Sequence, residues 1–163
     1  MPMFAGNPDT NSIADAIASY LSTLTYPGTS TQVYALAQVE AIKDVTDLTS
    51  GGKVCVEVYG DLDTSERRGF GGRIWDTQSW FILSLCSLDS PVYARQIYSV
   101  RDALVYPFQQ HVQLGDQVGN VFQVQLKPNM KFFRVERNSN QIRAHLAVLE
   151  TKQEWVVQGG IQS

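Results

Sequence analysis

Few side chains of this 163-residue chain are of types that do chemistry at neutral pH, and their spacing argues against most of it. The histidines are His111 and His145, and the cysteines are Cys55 and Cys86. A zinc site needs three or four thiolate, imidazole or carboxylate ligands at short spacings, and neither histidine has a partner so placed. His111 follows Gln109 and Gln110 in an expected loop. His145 falls mid-strand, out of phase with Ile142, Ala144 and Leu146. Both read as solvated or capping imidazoles. The cysteines sit in apolar, strand-like segments and read as buried free thiols, which pack as small hydrophobes. That usage fits folding in a reducing cytoplasm.

The remaining candidates fail on context. Asp61 and Asp63 stand beside Glu66 and would share a cation only if the chain wrapped around it, without the turn glycine such a loop uses. A solvated acidic loop is the simpler reading. Gly69-Phe70-Gly71-Gly72 resembles a phosphate cradle, but an anion also needs a helix N-terminus, and the chain from Arg73 reads as a strand. No Walker loop, G-x-G-x-x-G or G-x-S-x-G is present. Trp75, Trp80, Phe81, Phe132 and Phe133 are types that stack bases, yet a strand core needs the same residues. The net charge of -3, with no basic run longer than Arg67–Arg68, argues against a dedicated nucleic-acid binder. The expectation is no enzyme, no catalytic residue, no metal and no cofactor.

The elements that would position these residues follow from periodicity. Residues 1–11 read as an irregular arm. Ile13, Ile17, Tyr20, Leu21 and Leu24 recur at helical spacing, with Ser12 and Asp15 as a capping box or Asp9 as the cap, and Pro27–Gly28 ends the element. Residues 31–42 alternate as a strand, and 43–52 form an acidic linker. A second strand over 53–59 sets Val54, Val56 and Val58 on one face and Cys55, Glu57 and Tyr59 on the other. Residues 60–72 read as a long charged loop, of the kind that is functional or mobile. A strongly apolar strand covers 73–88.

A second helix opens at Pro91, capped by Asp89 or Ser90, with Tyr93, Ile97, Val100 and Leu104 as its stripe and Pro107 as its stop. Strands follow at 121–126 and 131–137, then a turn at Asn138–Ser139–Asn140. The alternating run 141–150 and a last strand over 154–158 complete the chain. Consecutive strands with only two helices predict an α+β fold: a mainly antiparallel sheet with both helices packed on it. Its size makes it one domain over residues 1–163.

Composition narrows the setting. Hydrophobic residues make up 44%, enough for a globular core. Charged residues are 18%, below the roughly 25% of typical soluble domains, with Gln and Ser supplying polar surface. Little charge repulsion then opposes association between copies. No stretch approaches the roughly 20 apolar residues that span a bilayer. The opening residues lack the basic and apolar regions of a secretory leader.

This layout resembles the tail-terminator proteins of long-tailed bacteriophages, with neck proteins of contractile-tailed phages similar in plan. The resemblance runs from about Ser12 to Gln158. It rests on the short arm, the helix ending in Tyr26-Pro27-Gly28, and two strands flanking a charged segment. The apolar strand, the helix from Pro91 to Tyr106 and the terminal strand set complete it. It lies in element order and spacing, because that family has no catalytic signature to match.

The resemblance implies a structural virion protein, made in the host cytoplasm and located in the neck. It would form a homohexameric ring that caps the tail tube and joins it to the head-side connector or adaptor protein, with no enzymatic activity. DNA would be only a transient passenger, and no membrane would be involved. Expected subunit or partner contacts are Glu66, Arg67, Arg68, Phe70 and Arg73. Expected lumen-facing residues are Asp44, Asp47, Asp61 and Asp63. The terminal hairpin with Trp155 is long for this family, which keeps open another tail, head-completion or baseplate role. The alternative from a different class is a small cytoplasmic α+β enzyme or ligand-binding domain with a dispersed site.

Overall fold

The computed structural model describes residues 10–45, 49–108, 121–127 and 130–156. Helix α1 spans Thr10–Ser22 and buries Ile13, Ala14, Ala16, Ile17, Ala18 and Leu21. Because it begins at Thr10, Ser12 lies within its first turn rather than ahead of it, so the Ser12–Asp15 box does not cap it. The alternative cap, Asp9, lies outside the described residues. Its C-terminal carbonyls are taken up locally: Thr23 donates through both its amide (3.1 Å) and its hydroxyl (2.7 Å) to the Tyr20 carbonyl. The following Tyr26–Thr29 turn closes with a 3.0 Å bond from the Thr29 amide to the Tyr26 carbonyl. Gly28 supplies the left-handed φ of 76° that such a turn demands after Pro27.

The first strand is shorter than its alternation predicts. β1 covers only Leu36–Val39. Residues before it fold back instead: Thr25 bridges Gln32, and the Val33 amide donates to the Leu24 carbonyl. Tyr34 turns inward, where its hydroxyl meets the Ser84 hydroxyl at 2.8 Å. β1 also pairs with the next strand in parallel, one exception to the antiparallel pattern. A parallel pair cannot be joined by a tight turn, and residues 40–53 make the crossover.

The segment over 60–72 is not a loop. β2 runs from Val54 to Phe70 and forms one long hairpin with β3, Arg73–Ser87, in pairs from Val54↔Cys86 to Phe70↔Arg73. The two-residue turn is Gly71–Gly72, with φ of 60° and 80°. Positive φ at both positions gives the twist that matches paired strands, so the glycines that suggested mobility instead build the tip. A register irregularity falls between Asp61 and Glu66.

Helix α2 spans Pro91–Phe108, with Ile97, Val100, Ala103 and Leu104 buried. β4 is Val121–Leu126 and β5 is Lys131–Arg137. The two strands expected after Asn140 are one, β6, Asn140–Val156. Thr151 and Gln153 interrupt the apolar alternation but not the ladder, whose bonds are backbone bonds. The turn into β6 places Asn138 and Ser139 at φ of 51° and 63°, another paired-strand turn.

The sheet order is β1-β2-β3-β6-β4, with β5 also on β6. This is an α+β fold with a mainly antiparallel six-stranded sheet. Both helices lie on one face, α1 over β1 and β2, and α2 over β3, β4 and β6. Val54, Val56 and Val58 share the main core with Ile97, Val100 and Leu104. The expected apolar stripes therefore meet in one core, although α1 rather than α2 covers the valines most directly.

The second face holds a smaller core of Ile42, Val45, Cys55, Leu85, Ile142 and Ala144. Here the sheet curls strongly. Glu57, Leu83, Leu146 and Lys131 follow one another across β2, β3, β6 and β5. At about 4.8 Å per strand and about 3.3 Å per residue, a flat sheet would hold the Arg137 Cα roughly 24 Å from the Glu57 Cα, farther than the two side chains together reach. The Arg137 Nη2 instead lies 2.6 Å from the Glu57 Oε1.

Candidate interaction surfaces

The buried polar group that organises the concave face is Glu57. Its side chain is fully buried and accepts from both Arg137 guanidinium nitrogens. The Tyr59 hydroxyl donates at 2.5 Å and the Ile42 amide at 2.6 Å. Burial by itself would raise the carboxyl pKa. Arg137, Tyr59 and the Ile42 amide together hold it below the ordinary carboxylate range. Burial, with the Glu57 anion beside it, pushes the Tyr59 hydroxyl up to about 12. Every acceptor position is used for structure, so the array clamps β5 and the 40–53 crossover onto β2. Sequence reading saw only an acid on the more polar face of a valine-rich strand. Its cation stands 80 residues further on, and no local pattern joins the two.

His145 is fully buried and is neither solvated nor capping. It faces the helix side of β6, beneath Phe132 at a centroid distance of 4.9 Å. Neither ring nitrogen has a hydrogen-bond partner. Burial, with Arg101 adding like charge, lowers its pKa to about 4. A neutral imidazole without polar partners packs as an aromatic and has no proton relay. Tyr98 stacks edge-on against Phe132 at 5.2 Å, and the Arg143 guanidinium lies 5.9 Å from both rings. Phe132 and Trp75, read as core, are 38% and 40% exposed, whereas Trp80 is buried. His111 lies outside the described residues.

Cys55 and Cys86 are free and buried. Burial raises both thiols, to about 12 and about 11, which makes them poor nucleophiles. Among the described residues no three His, Cys, Asp or Glu side chains converge as a metal site. A cavity of about 220 Å³ lies between Ser87–Asp89 and Asn140–Ile142. Among the described residues, Asp89 is the one titratable group in its lining.

The expected contact residues lie along the outer hairpin. Glu66, Arg67, Arg68 and Phe70 pair through their backbones with Thr77, Asp76, Trp75 and Arg73. Arg73 is exposed and forms an ion pair at 3.5 Å with Glu154 of its own chain, which also accepts from the Trp75 indole. Asp61 and Asp63 belong to β2 rather than to a loop, with Asp61 half-buried opposite Ser79. Asp44 is exposed in the crossover. Asp47 lies outside the described residues. The fold thus places Arg73 and the four hairpin positions on one projection, with Asp44 well separated from them in the chain.

Toward this projection the helix-side face becomes polar. The Trp80 indole donates to the Thr151 hydroxyl at 3.0 Å, and the Gln78 amide to the Thr10 hydroxyl at 3.1 Å. Asp76 and Gln153 are buried opposite each other. No described helix is long and apolar enough to cross a membrane. Compared with known proteins, the chain matches no family model, and no curated protein is significantly similar to it.

Proposed function

We propose that the protein is a structural subunit of the neck of a long-tailed bacteriophage virion. It forms a ring that caps the tail tube and joins it to the head-side connector. The observation that carries this reading is the shape of the β2–β3 hairpin. Its outer pairs, from Glu66↔Thr77 to Phe70↔Arg73, continue past Gln78, where Thr10 marks the start of α1. A projection that no described helix covers suits contact with another chain. Four of the buried titratable groups support the same reading, because Glu57, His145, Cys55 and Cys86 are each committed to packing or clamping.

In this reading Arg67, Arg68, Phe70 and Arg73, with Glu66, meet the tail tube protein or a neighbouring subunit. Asp44, Asp47, Asp61 and Asp63 face a lumen through which DNA passes. Carboxylates there repel phosphate and keep the passage free. Electron microscopy of the purified protein with its tail tube tests the proposal. Rings in solution or seated at one end of the tube are expected. Particles that remain single subunits and leave both tube ends bare would overturn it. The variant Arg67→Glu/Arg68→Glu should keep its melting temperature and lose tube binding.

A further inference from the structure

The two edges of the sheet are free and carry opposite charge. At one edge, β5 pairs only with β6 among the described strands. On its helix side Arg134 stands directly opposite Arg143 of β6, like charges on neighbouring strands that disfavour each other. Lys131, Arg134 and Arg143 form no ion pair with a described carboxylate, and only Glu136 offsets them on β5. Beside Arg134 and Arg143 on this helix side, Phe132 and Tyr98 rise as a half-exposed aromatic knob that covers His145, while Lys131 takes the other face over the Phe133 ring. Exposed aromatics interleaved with arginine are the composition of interface centres.

At the opposite edge, β1 pairs only with β2 among the described strands. An open groove runs between β1 and α1, in the same layer as the knob, lined by Asp15, Ala18, Ser19, Ala37, Gln38 and Val39. Its floor is apolar, since Ala18, Ala37 and Val39 belong to or pack against the main core. Asp15 and Glu40 are exposed beside it and form no ion pair with a described cation, while Lys43 and Asp44 next in the chain cancel. Unpaired strand edges are templates for another chain.

We infer that the knob and basic edge of one copy dock into the α1–β1 groove of a second copy. Tyr98 and Phe132 lie on the groove floor, and Arg134 and Arg143 face Asp15 and Glu40. The occupant is a second copy because both halves of the complementarity are on one chain, at opposite edges of one layer. Such a contact is head-to-tail, and repeated with a closing rotation it makes a ring. The inference rests on the ring reading above and names the surfaces that reading leaves open.

Charge exchange tests it on the full chain by sedimentation and electron microscopy. Asp15→Lys/Glu40→Lys makes both edges basic, and Arg134→Glu, beside Glu136, makes the helix side of the second edge acidic like the first. All three positions are exposed. Each variant alone should keep its melting temperature and need at least about tenfold more protein to assemble, because like charges now face each other. An equal mixture of the two should assemble again, as alternating copies. Assembly of either variant at the parent concentration, or a mixture that stays dispersed, would overturn this interface while leaving rings possible. A parent protein that never self-associates, with or without tube, would overturn the interface and the ring reading together.

Discussion

Two of the buried ionisable residues, His145 and Glu57, make the molecule sensitive to acid. His145 titrates near 4 when folded, against about 6.5 in an unfolded chain. As pH falls, the unfolded chain takes up that proton first. Stability therefore declines from about pH 6.5 to about pH 4, by on the order of 3 kcal/mol, and this contribution levels off below. Because both ring nitrogens lack partners, His145→Leu should remove most of that slope without lowering stability at pH 7. Urea midpoints measured across the range check it, and an unchanged slope would place the titration elsewhere. Glu57 acts in the same sense at lower pH, since its folded pKa is depressed as well. Its contribution is complete above the usual carboxylate range and is lost as pH falls through the folded value. Arg137→Ala strands that buried carboxylate and should cost about 3–5 kcal/mol at neutral pH. The difference between parent and variant should shrink in acid, where the carboxyl is protonated, and denaturation at two pH values measures it.

At the scale of elements, the helix layer and the hairpin have separate tasks. α2 holds the main core through Leu104, which is fully buried. Leu104→Ala should lower stability by about 2–5 kcal/mol, read as a shift of the denaturation midpoint. An unmoved midpoint would mean that α2 does not anchor the core. The hairpin instead extends β2 and β3 to 17 and 15 residues, well beyond the five or six that are usual for a strand. Its tip depends on backbone geometry at Gly71–Gly72 more than on burial.

For the whole molecule, charge argues for a passive relation to DNA. The net charge of -3 is multiplied by copy number in any ring. Arg134 and Arg143, described cations without a described acidic partner, stand side by side at one sheet edge, where a neighbouring copy would cover them. Gel shift with duplex DNA at physiological salt should therefore show negligible binding by the assembled protein. Micromolar, salt-sensitive binding would overturn the conduit reading and make the Tyr98–Phe132–Arg143 surface a nucleic-acid platform.

Sequence alone determined what depends on local periodicity. α1 and α2, the apolar strand β3 and the turn at Asn138–Ser139 were legible from spacing, proline placement and turn residues. So was the α+β class, which follows from the order of these elements. Only the tertiary structure decided what depends on partners far along the chain. The charged run 61–68 lacks an apolar pattern, and it becomes strand because β3 offers it a ladder and Gly71–Gly72 a turn. β1 pairs in parallel because the crossover over 40–53 returns beneath the sheet, where Ile42 and Val45 are buried. His145 looked solvated because its strand neighbours alternate the other way, yet β6 is covered on both faces. The Glu57–Arg137 clamp was invisible for the same reason: a strand period reports which face a residue takes, and the curl of the sheet decides which distant residue meets it there.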